Sequence, residues 1–170
     1  MEKITDKTGR IAFIGGGMMA EAILKGMLHK EIAEPEMITI SDPSARRREY
    51  LEKTYKVNTT GCNAEAVKTA GFVILAVKPQ VADAAITKEV VDAIPQNTTV
   101  LSIMGSVNLD KLHKLVPGHA VIRVMPNTPL AVGCGMTAIA PDENVSEEML
   151  DVAKAIFGSC GEIEIIAESA

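Results

Sequence analysis

Between Arg10 and Ala20 the chain reads Arg-Ile-Ala-Phe-Ile-Gly-Gly-Gly-Met-Met-Ala, and Gly15, Gly17 and Ala20 are spaced as G-x-G-x-x-A. Each small residue has its own use where a strand runs into a helix. Gly15 permits a tight turn, Gly17 keeps a Cβ away from an approaching anion, and Ala20 lets the helix lie close to the sheet. The anion that suits this place is a pyrophosphate, because the N–H groups and positive dipole end of the helix point at it. The surroundings agree with that chemistry. Ile11 to Ile14 is wholly apolar, as in a strand buried on both faces, and a second strand follows about one βαβ unit later.

A nucleotide held there meets the end of the second strand, where Ser41, Asp42, Pro43, Ser44 and Arg46 fall in order. An acidic residue ending that strand favours NAD by holding the ribose diol. Here Ser41 ends it and Asp42 comes one residue later. Ser44 and Arg46 are both suited to a 2′-phosphate, the guanidinium of Arg46 most of all. The balance favours NADP, with NAD the alternative. Two plainer readings stand beside this one: Arg46, Arg47 and Arg48 form a solvated helix face, and Asp42 opens a turn with Pro43.

The elements that must position these residues alternate regularly along the chain. Strands are expected over Ile11–Ile14, Met37–Ser41, Val57–Thr60, Phe72–Val77, Thr99–Ile103, Ala120–Val124, Met136–Ala140 and Glu162–Ile166, the last alternating like an edge strand. Helices are expected over Met18–Lys30 with Met19, Ile23, Met27 and Leu28 inward, after a Ser44 cap, and over Ala64–Thr69 with Asn63 as cap. Further helices are expected over Val81–Ala93, Leu109–Leu115 and Ser146–Phe157. The recurring βα units predict one α/β domain over 1–170, a doubly wound, mostly parallel sheet of the Rossmann type.

Bulk properties narrow the functional classes. The chain has 170 residues, 47% hydrophobic but 3% aromatic, so its core is aliphatic. A net charge of −5 offers no basic surface for nucleic acid. No apolar run reaches the roughly 18 residues of a membrane span. The charged N-terminus, Met-Glu-Lys-Ile-Thr-Asp-Lys, is unlike a signal peptide, so the cytoplasm is the expected location. Cys62, Cys134 and Cys160 are too widely spaced for a disulfide framework and read as small apolar residues in a reducing compartment. His29, His113 and His119 show no ligand spacing, and no metal is expected.

Phe13-Ile-Gly-Gly-Gly-Met-Met-Ala20, Ala76-Val-Lys-Pro79, and above all Arg123-Val-Met-Pro-Asn-Thr-Pro129 followed by Gly133-Cys-Gly-Met-Thr-Ala138 resemble pyrroline-5-carboxylate reductase. The resemblance runs from about Ile11 to Glu168. It implies reduction of a cyclic imine, 1-pyrroline-5-carboxylate, to proline by NADPH or NADH. It also implies cofactor contacts at Ile14, Gly15, Gly16, Gly17, Met18 and Met19, at Ser41 and Pro43, at Asn63, and at Ala76, Val77, Lys78 and Pro79. Ile103, Met104 and Gly105 match a cofactor loop, although the family usually has Ala-Ala-Gly and this chain reads Met104-Gly105-Ser106.

A protonated imine is already electrophilic, so the reaction asks chiefly for positioning and exclusion of water. Lys78, Asn127 and Thr128 are the substrate-side candidates. The plain alternatives are a structural lysine at a strand end and turn chemistry between Pro126 and Pro129. Members of the family continue into a helical C-terminal domain that pairs two subunits and binds the substrate carboxylate. That domain is absent from these residues, so a fragment of a longer, homo-oligomeric reductase is expected, one that binds dinucleotide but catalyses poorly or not at all. The alternatives are another reductase of the β-hydroxyacid dehydrogenase-like superfamily, a deazaflavin-dependent NADP reductase among them, and a non-catalytic NADP-binding module.

Overall fold

A computed structural model describes residues 2–126, 135–158 and 161–168. Its centre is an eight-stranded sheet in the order β3-β2-β1-β4-β5-β6-β7-β8. The strands are β1 (Arg10–Ile14), β2 (Ile38–Ser41), β3 (Asn58–Thr60), β4 (Ala70–Leu75), β5 (Thr99–Ser102), β6 (Val121–Pro126), β7 (Gly135–Pro141) and β8 (Gly161–Ile165). All neighbours are parallel except β6 and β7, so the expected mostly parallel α/β sheet is present with one antiparallel step.

The strands' alternation divides the core between the two faces. Ile11 and Phe13 of β1 join Ile40, Phe72, Ile74 and Leu101 on one side. That side is covered by α2 (Met18–His29) and α8 (Glu147–Gly158). Ala12 and Ile14 join Val73, Leu75 and Val100 on the other, under α4 (Asn63–Val67), α6 (Lys88–Ala93) and α7 (Leu109–Leu115). Ile11 to Ile14 are all fully buried, as a central parallel strand requires.

Several expectations needed correction. The inward stripe of α2 is Ala20, Ile23, Leu24 and Met27, whereas Met19 is 38% exposed. The short Ala20 must face the sheet for helix and sheet to approach, and this turns Met19 outward. The single helix expected over Val81–Ala93 is broken in two, α5 (Ala82–Ala85) and α6, because the Thr87 hydroxyl accepts from the Val90 amide and starts a new helix. Asn63 does not cap α4. Cys62 occupies that position without a side-chain bond and is exposed. A short helix, α1 (Thr5–Thr8), precedes β1 where none was expected, and the Thr8 carbonyl presses on Gly71 so closely that a Cβ there would lie 1.7 Å from the oxygen.

Candidate functional site

The sheet order reverses between β1 and β4, since β1 continues to β2 on one side and pairs with β4 on the other. Ile14 stands level with Ser41 and Leu75, and Leu75 with Ser102. The loops after β1, β2, β4 and β5 therefore leave the sheet along one edge, at the crevice where open α/β sheets take ligands. Those loops carry the glycine run, Asp42 to Arg46, Ala76 to Pro79, and Ile103 to Gly105.

Within the glycine run the three residues differ. Gly15 has φ +101°, and a Cβ would lie 2.7 Å from the Ala76 carbonyl oxygen, so both backbone conformation and space demand glycine. Gly16 is enclosed, with Ile40 and Leu51 side-chain atoms 3.0 Å from where a Cβ would sit. Gly17 has neither constraint: its φ is −79° and no described atom lies within 4 Å of a built Cβ. The fold itself has no use for its smallness. A dinucleotide pyrophosphate fits this place, because it needs the backbone bare on the ligand side.

The start of α2 supports that fit. The caps of α3 (Ala45–Tyr55), α6 and α7, namely Ser44, Thr87 and Asn108, accept bonds from their own helices' first-turn amides. Ser146 does the same before α8, accepting from Met149 at 3.1 Å. Gly17, the cap of α2, supplies no side-chain acceptor. Among the described residues, the first-turn amides of α2 thus lack both an intrahelical and a side-chain partner, and they open at the sheet's switch point.

Around this opening, Asp42 is already engaged. One carboxylate oxygen accepts from the Gly16 amide at 3.0 Å and the other from the Ser44 amide at 2.9 Å. It ties two loops together and opens the turn, as the plainer reading held. Ser41 is buried and its hydroxyl donates to the Asn63 side-chain oxygen, while the Asn63 amide nitrogen donates to the Ala85 carbonyl at 2.9 Å. Asn63 therefore bridges the end of β2 to α5, a role that capping reasoning missed.

The three arginines of α3 also separate. Arg47 bonds the carbonyls of Gly16 and Gly17 and pairs with Glu21 at 2.7 Å. Arg48 donates to the Asp42 carbonyl at 2.7 Å. Arg46 is exposed, and its guanidinium is the one of the three with no partner among the described residues, which suits it to a phosphate.

On the other half, Ala76 donates its amide to the Ile14 carbonyl at 2.8 Å and Ile103 donates to Leu75 at 3.2 Å, so both loops continue the ladder. Lys78 and Pro79 are exposed. Met104 is turned into the core at 1% exposure, so only its backbone faces the edge. The Gly105 carbonyl accepts from Arg123 at 2.8 Å. Asn127, Thr128, Cys134 and Cys160 lie outside the described residues. A cavity of about 560 Å³ lies at the opposite edge of the sheet, lined by Arg10, Gly71 and Thr98 among others, and none of the described site residues lines it. No helix among the described residues is long and apolar enough to cross a membrane.

Known proteins share this fold. The chain is 42% identical to the pyrroline-5-carboxylate reductase of Synechocystis over 94% of its own length and 59% of the relative's. The solved structure of the Coxiella burnetii pyrroline-5-carboxylate reductase superposes with a TM-score of 0.88 at 27% identity, covering 94% of this chain and 59% of that one. The Plasmodium falciparum pyrroline carboxylate reductase, solved with NADP bound, superposes with a TM-score of 0.78 at 28% identity, covering 94% and 58%. The chain thus spans about three-fifths of the length of the relatives it matches. Residues 10–106, more than half of the chain, match the family described as NADP oxidoreductase, coenzyme F420-dependent, and the chain belongs to that family.

Proposed function

We propose that this chain is the dinucleotide-binding domain, residues 1–170, of a pyrroline-5-carboxylate reductase, an oxidoreductase of proline biosynthesis acting on a C=N bond. The observation that carries the nucleotide is Gly17, a glycine the fold does not require, beside uncapped helix amides at the switch point. The choice of reaction rests on the likeness to the Synechocystis enzyme along 94% of the chain. NADP is the favoured cofactor and NAD the alternative, since Asp42 is committed to backbone amides and the Arg46 side chain has no partner among the described residues.

When bound, the nucleotide supplies the hydride. The chain's own part is to hold and orient it. The amides from Gly17 to Met19 take the pyrophosphate, and Ser44 and Arg46 take the 2′-phosphate. Pro43 and Asn63 border the adenosine end, and Ala76 to Pro79 with Ile103 to Gly105 border the nicotinamide half. Lys78 serves the substrate, whose carboxylate its ammonium favours, with Asn127 and Thr128, outside the described residues, as the further substrate candidates. A further helical domain, corresponding to the length of the relatives that this chain does not span, completes the substrate site and the homo-oligomer, in the cytoplasm; the present residues alone turn over poorly.

Calorimetric titration with NADPH and NADH tests the first part. Binding should vanish in Gly17→Val, and Arg46→Ala should reduce NADPH affinity about tenfold while sparing NADH. No binding of either nucleotide to the natural chain overturns the reading. Joining the chain to the portion of the Synechocystis enzyme it does not span tests the second. Reduction of 1-pyrroline-5-carboxylate is expected, and hydride exchange with a deazaflavin in its place would move the activity to the family's other named chemistry.

A further inference from the structure

Arg47 lies outside the residues assigned above, yet its side chain hydrogen-bonds two successive carbonyls of the phosphate loop. Its Nε donates to the Gly16 carbonyl, and one Nη donates both to the Gly17 carbonyl at 3.1 Å and to Glu21 at 2.7 Å. Its guanidinium stands over the Tyr50 ring at 5.1 Å. Glu21, on α2, accepts in addition from the Tyr50 hydroxyl at 2.7 Å and from the Tyr55 hydroxyl. The arginine and glutamate side chains are 26% and 18% exposed, so water screens the pair only partly. Tyr50 and Tyr55 meet edge to face, their ring centroids 6.4 Å apart.

The consequence is directional. A peptide plane has its carbonyl and its amide on opposite sides. A planar guanidinium that holds the carbonyls of two successive glycines turns their planes together, and only a rigid fork can do this for both. Glycine has the widest backbone freedom of any residue, so an unheld Gly16-Gly17 pair would sample many orientations of its amides. The Gly17 carbonyl also accepts the first helical bond of α2, from the Glu21 amide at 2.9 Å, so the same clamp sets the helix start.

Resting on the dinucleotide reading, we infer that Arg47 is the positioning residue of the phosphate loop. Glu21, Tyr50 and Tyr55 hold its guanidinium, which fixes the Gly16 and Gly17 carbonyls and keeps the amides at the start of α2 aimed at the pyrophosphate of a bound dinucleotide.

The test uses the whole chain, with NADPH and adenosine 2′-monophosphate as separate calorimetric titrants. The second probe has the adenosine end with its 2′-phosphate but no phosphate on the 5′ side, where the pyrophosphate stands. Arg47→Lys, which keeps the charge and loses the fork, should weaken NADPH about tenfold and leave the monophosphate within about twofold. Tyr55→Phe, which keeps the packing, should weaken NADPH alone by a few fold, and its thermal unfolding guards against a folding artefact. Unchanged NADPH affinity in both variants overturns the inference while the nucleotide reading stands. Equal loss of both ligands overturns it too, since Arg47 would then act on the adenosine end or on folding. Failure of the natural chain to bind either probe is the separate failure of the nucleotide reading and takes the inference with it.

Discussion

Around the ends of β1 and β2, side chains hold backbone: Asp42 takes the Gly16 and Ser44 amides, Arg47 the Gly16 and Gly17 carbonyls, and Arg48 the Asp42 carbonyl. Around the ends of β4 and β5 the loops follow the sheet mainly through backbone bonds, Ala76 to Ile14 and Ile103 to Leu75, with Arg123 on Gly105. Lys78 there is exposed, and its side chain makes no bond among the described residues. Asn63 is the bridge between the halves, reaching Ser41 on one side and Ala85 on the other. The first half is a finished grip whose geometry is paid for on folding. Among the described residues, the second offers backbone and the unpaired Lys78 side chain, which suits a surface that must accept a changing partner against it.

The largest effect should come from Gly15→Ala. A Cβ at φ +101°, 2.7 Å from the Ala76 carbonyl oxygen, strains the chain and pushes the two halves apart. A loss of about 3 kcal/mol in urea unfolding is expected, with nucleotide binding lost as well. Next is Asp42→Ala, which leaves the Gly16 and Ser44 amides without their acceptor. About 2 kcal/mol should be lost, and NADH and NADPH affinities should fall together because the acid is structural in this chain. Retention of NADPH with selective loss of NADH would instead make Asp42 a ribose ligand and weaken the contrast between the halves.

Gly17→Val sharpens the distinction between fold and ligand. It should cost only about 1 kcal/mol of stability, the ordinary effect of a poor helix cap, yet abolish nucleotide binding. Lys78→Met tests the open half. Its urea midpoint should not move within about 0.5 kcal/mol, whereas turnover in the joined enzyme should fall through a higher KM for the imine carboxylate. An equal loss in folding stability would show that Lys78 is a structural strand-end lysine.

The smallest effect concerns pH. Burial raises the Glu21 carboxyl, but hydrogen bonds from Tyr55, Tyr50 and Arg47 and the charge of Arg47 together carry it below its ordinary value of 4.5. A carboxylate lowered by folding stabilises the native state above its ordinary value and loses that contribution as pH falls through the lowered one. The natural chain should therefore exceed Glu21→Gln in urea midpoint at neutral pH, and the gap should close as the solution is acidified below about 4.5. Burial and Glu21 push the Tyr55 phenol upward, so Tyr55 stays a hydrogen-bond donor throughout that range.

Much of this was legible in the residues because it is local. The apolar run Ile11–Ile14, the glycine spacing after it, the Ser44 cap and the limits of the helix Leu109–Leu115 follow from periodicity and from what glycine and serine do to a backbone. What the sequence by itself determined is thus the order of βα units and the residues at their joints. The tertiary structure decided which of those residues remain free. Arg46, Arg47 and Arg48 are one chemical type in a row, and only the approach of α3 to the glycine loop turns two of them onto backbone carbonyls and leaves the third outside. Asp42 is acidic at nearly the place a ribose ligand would stand, but the neighbouring Gly16 amide claims it. Asn63 looked like a cap, yet Ser41 and Ala85, distant in sequence, offered it better partners. The antiparallel β7 and the outward turn of Met19 belong with these cases, since each depends on what lies across the sheet or beneath the helix. Local rules fix what a side chain can bond, and packing across the sheet fixes which partner comes within reach.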